Sequence, residues 1–301
     1  MKKILILVDT IGKNKQDLVA ILQKELGLQV EVVLKKFSDV TIEFIDKKLF
    51  IEVDDEKIQT FGVIYFRRVG KEYFSLAGNL AICLESLKIK YFDTFFGAFS
   101  QIGSSGDKFA SLLKLALVGL PVMPSFFCWR DKIEKHRDLL INTYGLPLIA
   151  KELSRQRGEG VMLITTGKDF DKLKETAKGD QYLFQCYYPA REEYRFLVYG
   201  YRAVLFYRKI KGDPSEFRSN VAVGGGFEFL PLKKAPAGMG KAAVKVARTL
   251  KLEITGVDFL VDQTGKFWIL EANRGPGFTY DSKLSPEVPE LAKFFARSLG
   301  I

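Results

Sequence analysis

In FWILEANRGPGF, residues 267–278, two oxygen-bearing side chains, Glu271 and Asn273, close an apolar run. Residues two apart in an extended strand share a face, so both point the same way. Just upstream, TGVDFLV places Asp258 inside a second apolar run. The intervening Gln263-Thr264-Gly265-Lys266 reads as a hairpin turn with glycine at its tip. A turn centred between Thr264 and Gly265 sets Asp258 opposite Glu271, on the face that also carries Asn273. Like charges directly opposite one another destabilise a hairpin, and a lone carboxylate in an apolar strand is costly to bury. A cation between the two acids resolves both problems. Two carboxylates and an amide are hard oxygen donors suited to magnesium, which keeps some of its water and bridges substrate phosphates; manganese is the alternative ion. Removing either acid is then expected to weaken metal binding more than folding.

Other stretches carry charge beside glycine. AKELSRQRGEGV ends a strand with Lys151 and returns through Gly158 and Gly160. Glycine lets backbone N–H groups close on phosphate oxygens, with a lysine as point charge; a plain hairpin turn with a surface lysine would look the same. PSEFRSNVAVGGG sets Arg218, Ser219 and Asn220 before three glycines. Arg218 could fork onto a carboxylate or phosphate and Asn220 could hold a metal-bound oxygen, while a solvated loop is the plainer reading. AREEYRFLV puts Glu193 and Arg195 on one strand face, as a catalytic pair or a salt-bridged edge. Arg67 and Arg68 end GVIYFRR, either facing a cleft or capping a strand in solvent. The single histidine, His136 in RDKIEKHRD, reads as a surface helix residue. Histidine zinc sites and Ser-His-Asp catalysis therefore have almost no material.

The elements that must position these groups are those of a well-packed protein. The 301 residues are 47% hydrophobic and 27% charged. Lysine and arginine number 46 against 36 acids, a net charge of +10 without a basic run of five, which suits a binder of polyphosphates and carboxylates as well as nucleic acid. Cys83, Cys128 and Cys186 are odd in number and form no CxxC, which points to reduced thiols in a cytoplasm. No apolar run is long enough to span a membrane. Met1 to Val8 reads as a first buried strand and not a signal peptide. Up to residue 93, strands and helices alternate in a βαβ manner without a Gly-x-Gly-x-x-Gly, and TIEFID with LFIEVD forms a hairpin extension. Beyond it, helices are expected near DKFASLLKLALVGL, Asp169 to Ala177 and Met239 to Leu250, among strands that do not strictly alternate with them. That mixture favours α+β lobes around a cleft over one doubly wound sheet.

The ordered stretches GLPLIAKELSRQRGEGVMLI, FQCYY, EYRFLVYG, EFRSNVAVGGG, TGVDFLV and ILEANRGPGF resemble the motifs of ATP-grasp enzymes, in particular the RimK-like carboxylate–amine ligases, over about residues 99–300. The resemblance implies an ATP-grasp fold with an N-terminal lobe at 99–184 and a C-terminal lobe at 185–301, preceded by a small α/β pre-ATP-grasp domain at 1–98. It implies ATP between the lobes, with Lys108 and Lys151 near its phosphates and the backbone of Cys186 and Tyr187 at adenine. Glu193 matches the ribose ligand, Arg218, Ser219 and Asn220 the nucleotide-contacting triplet, and Asp258, Glu271 and Asn273 the magnesium ligands. The implied activity joins an amino-acid, peptide or protein carboxylate to an amine through an acyl phosphate, with Arg218 and Arg195 offsetting charge on the transferring phosphoryl group. Two positions depart from the family. Cys186 stands where a glutamate is usual, and Arg274 replaces a small residue, which marks it as a contact for a substrate carboxylate. The alternatives are a phosphotransferase of the same fold and a non-catalytic, basic nucleic-acid-binding protein. The intact Lys151, Asp258, Glu271 and Asn273, and the lack of basic clusters, count against the second.

Overall fold

The apolar run that opens the chain lies inside a parallel sheet. The computed structural model describes residues 1–45, 48–97, 108–130, 133–153, 160–176, 181–210, 226–278 and 285–301. Strand β1 (Lys2–Val8) pairs in parallel with β2 (Val30–Lys36), and the chain then makes an antiparallel excursion through β3 (Val40–Ile45), β4 (Lys48–Val53) and β5 (Glu56–Lys57). It returns as β6 (Val63–Phe66) on the other side of β1, and β7 (Tyr91–Phe92) completes the order β2-β1-β6-β7. Ile4 to Val8 are fully buried because both faces are covered. On one face α1 (Lys13–Leu26) sets Leu18 and Leu22 against Ile4 and Ile6; on the other α2 (Phe74–Ser86) sets Ala77, Leu80 and Leu84 against Leu5, Leu7 and Phe66.

After α3 (Lys108–Leu117), β8 (Ser125–Trp129), β9 (Leu148–Glu152), β10 (Val161–Ile164) and β11 (Gln181–Cys186) form an antiparallel sheet in the order β10-β9-β11-β8. Helices α4 (Ile133–Leu139) and α5 (Asp169–Thr176) cover the face that carries Leu148, Ala150, Tyr182 and Phe184. The third sheet is also antiparallel: β12 (Ala190–Tyr199), β13 (Arg202–Ile210), β14 (Gly226–Leu230), β15 (Ile254–Asp262) and β16 (Phe267–Arg274), in the order β14-β13-β12-β15-β16. The stripe Met239, Ala242, Ala243, Val246, Ala247 and Leu250 of α6 (Met239–Leu250) packs on its Phe196, Phe206, Val257 and Phe259 face.

Among the elements outside the sequence reading are β5, β8 and α7 (Glu287–Leu299). Helix α7 leaves the third sheet and packs on α1, burying Val288, Leu291, Phe294 and Phe295 against Ile4, Leu18, Tyr65 and Phe92. The end of the chain thus completes the core around its beginning. Cys83, Cys128 and Cys186 form no disulfide, and among the described residues no helix is long and apolar enough to cross a membrane. His136 is on a helix as expected but half-buried, its ring 5.1 Å from that of Phe126.

One buried cluster ties the first sheet to the third. The Glu253 carboxylate accepts the N–H groups of Asp93 and Thr94 at 3.0 Å each and the Tyr201 hydroxyl at 2.7 Å. Beside it the Arg274 guanidinium lies over the rings of Phe74, Phe95 and Phe96, at 5.1, 4.4 and 5.1 Å from their centroids. The buried Asp93 carboxylate faces this cluster, and its Oδ1 has no hydrogen-bond partner among the described residues. Burial pushes its pKa up to about 7, with Arg274 opposing the shift and Glu253 adding to it. A folded pKa above the unfolded value stabilises fully below that unfolded value, and the effect is lost as pH rises through 7. Between pH 5 and 8 the loss is about 2–3 kcal/mol. In denaturant titrations the stability of Asp93→Asn relative to wild type should rise by about 2 kcal/mol from pH 5 to pH 8; a difference independent of pH would show that Asp93 titrates as an ordinary acid.

Candidate active site

The hairpin that carries the candidate ligands reaches the expected pairing by an unexpected route. Val261 lies opposite Phe267, and the Asp262 N–H donates to the Lys266 carbonyl at 2.9 Å. The loop is therefore three residues, Gln263-Thr264-Gly265, with Gly265 at φ +86, and not a turn centred between Thr264 and Gly265. An unbroken ladder from this turn would set Asp258 against Leu270. Instead Leu270 is bulged: Phe259 faces Ile269 and Asp258 faces Glu271. The bulge moves Glu271 and Asn273 onto the face of Asp258, and Leu270 packs with Met123, Leu260 and Trp268.

The cation beside Asp258 comes from neighbouring strands. Arg195 on β12 stands directly across from Asp258, its Nε and Nη2 donating to Oδ1 and Oδ2 at 2.5 and 2.6 Å in a bidentate pair. Lys209 on β13 stands across from Glu193, its Nζ 3.1 Å from Asp258 Oδ2 and 3.9 Å from Glu193 Oε2. Asn273 Nδ2 donates to Glu271 Oε1 at 2.9 Å and to Asp258 Oδ2 at 3.4 Å. Asp258 is 2% exposed. Burial raises its pKa, but Arg195 and Lys209 outweigh burial and hold it at about 2. Arg195 is raised well above its ordinary value: burial lowers it, and the Asp258 carboxylate more than compensates. The pair's contribution is thus present at neutral pH and lost only as pH falls through 2.

Lys209 was missed in the sequence. The β12–β13 turn is Gly200-Tyr201, both at positive φ, and an unbroken ladder from it would set Glu193 against Arg208. A bulge at Val204 shifts the register and brings Lys209 into line. Nothing in YRAVLFYRKI announces that bulge.

The other expected residues fall as follows. Glu193 is buried on the face of Arg195. Lys151 is half-buried in the middle of its sheet, between Val161 and Leu183, on the face opposite the helices. Gly160, exposed at φ +67, accepts the Glu152 N–H at 2.8 Å, so the loop begins as a hairpin return. The N–H groups of Cys186 and Tyr187 donate to the carbonyls of Pro124 and Pro147, at 3.2 Å each. Next to them Tyr188 stacks on Trp268 at 4.9 Å. Lys108 opens α3. Gly158, Arg218, Ser219 and Asn220 lie outside the described residues. Arg274, one residue past Asn273, faces the other way, into the phenylalanine cluster, where burial lowers its pKa against the pull of Asp93. Arg67 is no solvent-facing cap: it is fully buried.

The donor set fits magnesium in chemistry. Among the described residues no group of three or more His, Cys, Asp or Glu could hold a metal, and the candidate set is two carboxylates and an amide. That is the kind of site in which water and phosphate oxygens complete the shell. Glu271, half-buried, and Asn273, with its amide turned over to present oxygen, would hold the ion. Asp258 would face it while remaining paired with Arg195. Removing either acid is therefore not equivalent. Asp258→Ala leaves Arg195 without its anion and Lys209 with Glu193 alone, and should cost about 3–5 kcal/mol in urea unfolding. Glu271→Gln keeps an oxygen for Asn273 and should change stability by less than about 1 kcal/mol while weakening magnesium binding. Equal losses of stability would make both acids structural.

Residues 105–287, more than half of the chain, match the family model of the RimK-like ATP-grasp domain. The chain is 32% identical over 180 residues to the "Probable alpha-L-glutamate ligase" of Saccharophagus degradans and 31% identical over 181 residues to the protein of that name from Vibrio atlanticus. Each alignment covers 58% of this chain and spans 58% of the relative's length. Among solved structures, the ATP-grasp ligase PsnB complexed with a phosphomimetic variant of its minimal precursor, magnesium and ADP is similar over 99% of both chains, with a TM-score of 0.73 at 16% identity. D-alanine–D-alanine ligase from Bacillus anthracis complexed with ATP is similar over 99% of this chain and 96% of that one, with a TM-score of 0.66 at 18% identity. The architecture is the mixed α/β ATP-grasp fold behind an N-terminal parallel sheet. With that fold, and with the paired acids and Asn273 inside the matched span, the chain belongs to the RimK-like ATP-grasp family.

Proposed function

We propose that the protein is an ATP-dependent carboxylate–amine ligase. The observation that carries this reading is the gathering of Asp258, Glu271, Asn273, Arg195 and Lys209 on one sheet face. In the reaction, a substrate carboxylate attacks the γ-phosphorus of ATP and ADP leaves; an amine then displaces phosphate from the acyl phosphate to form the C–N bond. Magnesium, when bound at Glu271 and Asn273, supplies charge neutralisation for the phosphates. The chain's own contribution is positive charge set in place before the reaction, which avoids reorganisation at the barrier. Arg195 keeps its orientation because two of its donors are fixed on Asp258, and Lys209 stands beside it. Lys151 is assigned to the phosphates, with Lys108, Gly158, Gly160, Arg218, Ser219 and Asn220 completing the nucleotide site by their family positions, and Glu193 to the ribose. At Cys186-Tyr187 both N–H groups are already bonded to backbone carbonyls, so adenine is assigned to the remaining backbone groups there. Arg274 is read as an anchor for β16 rather than a substrate contact, because its guanidinium is enclosed by aromatic rings.

The relatives' name makes glutamate the first substrate to test, and the precursor peptide complexed with PsnB makes peptides with carboxylate side chains the second. Hydroxylamine added with the correct carboxylate, ATP and magnesium should yield a hydroxamate, since the acyl phosphate is open to any strong amine nucleophile. A hydroxyl-directed phosphotransferase would release ADP and a stable phosphate ester without hydroxamate, which would reject the ligase. Lys151→Ala should lower hydroxamate formation roughly 10- to 100-fold, as expected for loss of a charge-assisted contact. Lys135→Ala, on the exposed side of α4, should not; equal behaviour of the two would remove Lys151 from the phosphate site.

A further inference from the structure

We propose that the cavity between the carboxyl ends of β1 and β6 and the loop after β16 is a carboxylate-binding subsite. It takes a free carboxylate of an acidic amino acid or acidic peptide while the reacting groups lie at Glu271 and Asn273. The choice of ligand class rests on the ligase reading above.

The cavity measures about 300 Å³, and its lining among the described residues includes Lys13, Lys15, Arg67, Arg68, Gly277 and Phe278, with no acid among them. That volume is at the small end of ligand pockets and suits an amino-acid-sized group better than a nucleotide. Its place follows from topology. The chain leaves β1 towards β2 on one side and returns as β6 on the other, and in parallel sheets a ligand crevice opens at the carboxyl ends where the strand order reverses. The first turn of α1, which follows the loop after β1, brings Lys13 and Lys15, and the residues just past β6 are Arg67 and Arg68. Lys15 is engaged by Asp9 at the rim. The first turn of α1 carries no acid and so adds the positive end of its dipole.

The arginines are supported as recognition groups. Arg67 is fully buried, with Nη1 3.4 Å from the Tyr65 hydroxyl, Nη2 donating to the Pro276 carbonyl at 3.2 Å and its plane 4.7 Å from the Phe278 ring centroid. Gly275, at φ +55, lies so close to Arg68 that an added Cβ would meet its Cγ at 3.3 Å and its backbone nitrogen at 3.4 Å. The segment that follows Asn273 is therefore laid directly on the two arginines. Gly277 follows Asn273 by four positions, so their Cα atoms are at most about 14 Å apart. An anion in the cavity is within reach of the metal-binding pair for a short extended substrate.

The test uses the full chain saturated with magnesium and ADP and titrated with glutarate, with glutaramide as the uncharged isostere. Glutarate should bind and glutaramide should not. Lys13→Glu and Arg68→Lys should each weaken glutarate about tenfold, through reversed charge and through loss of the guanidinium fork, with affinity for magnesium–ADP unchanged. Lys13 is exposed at the first turn of α1, where an acid is favourable, so the first variant keeps the fold. Absence of glutarate binding, equal binding of glutaramide, an unaffected Lys13→Glu, or binding of inorganic phosphate in place of glutarate would each overturn the subsite. A parallel loss of magnesium–ADP affinity would assign the cavity to the nucleotide and overturn it as well. Failure of the ligase reading appears separately, as wild type that makes no hydroxamate in the activity assay while the glutarate titration stands.

Discussion

The structure around the candidate active site depends on a single buried ion pair. Asp258 sits in the second-innermost position of a sheet whose other face is packed by α6, and its carboxylate is almost wholly removed from water. An isolated carboxylate there would take up a proton instead of staying charged. Arg195 prevents this by meeting both oxygens at once, and Lys209 adds a second positive charge from one strand further away. The arrangement keeps three strands in a single register, since displacing any one of them by a residue would turn a buried charge into apolar surroundings. It also leaves Glu271 half-buried, with Asn273 bridging the two acids.

Two bulges give that register its particular form. Each inserts one residue, Leu270 in β16 and Val204 in β13, and each changes which side chain faces β15 or β12. Between them lies a strip of charged groups flanked by apolar ones: Met123, Leu260, Trp268 and Leu270 on the turn side, and Leu197, Tyr199 and Tyr207 towards α7. Charge confined between apolar clusters interacts in a less polar medium than water, so its effect on a bound phosphate is larger.

The first and third sheets meet at the same strand. Directly past Asn273, Arg274 turns to the opposite face and enters the cluster of Phe74, Phe95 and Phe96, and the glycine loop after it lies over Arg67 and Arg68. Helix α7 then completes the core beneath β1.

Much of this was legible in residue order. Period-two and period-3.6 patterns located β1, β9, β12, β15, β16 and α6, and two oxygen donors spaced two apart singled out one strand face as the candidate metal site, because spacing along one strand is a local property. The pairing of Asp258 with Glu271 was legible only through two offsetting features, a turn one residue longer than supposed and a bulge that restored the alignment. The partnership of Asp258 with Arg195 and Lys209 was not legible, since it needs β12 and β13 laid beside β15 and a bulge without a local signature. Helix α7 carries an apolar stripe, yet its docking on α1 joins opposite ends of the chain. Residue types and local spacing thus determined which chemistry is available. Tertiary structure alone decided which charges neutralise one another and which remain for a ligand, because charge compensation in a buried site depends on neighbours that sequence distance does not reveal.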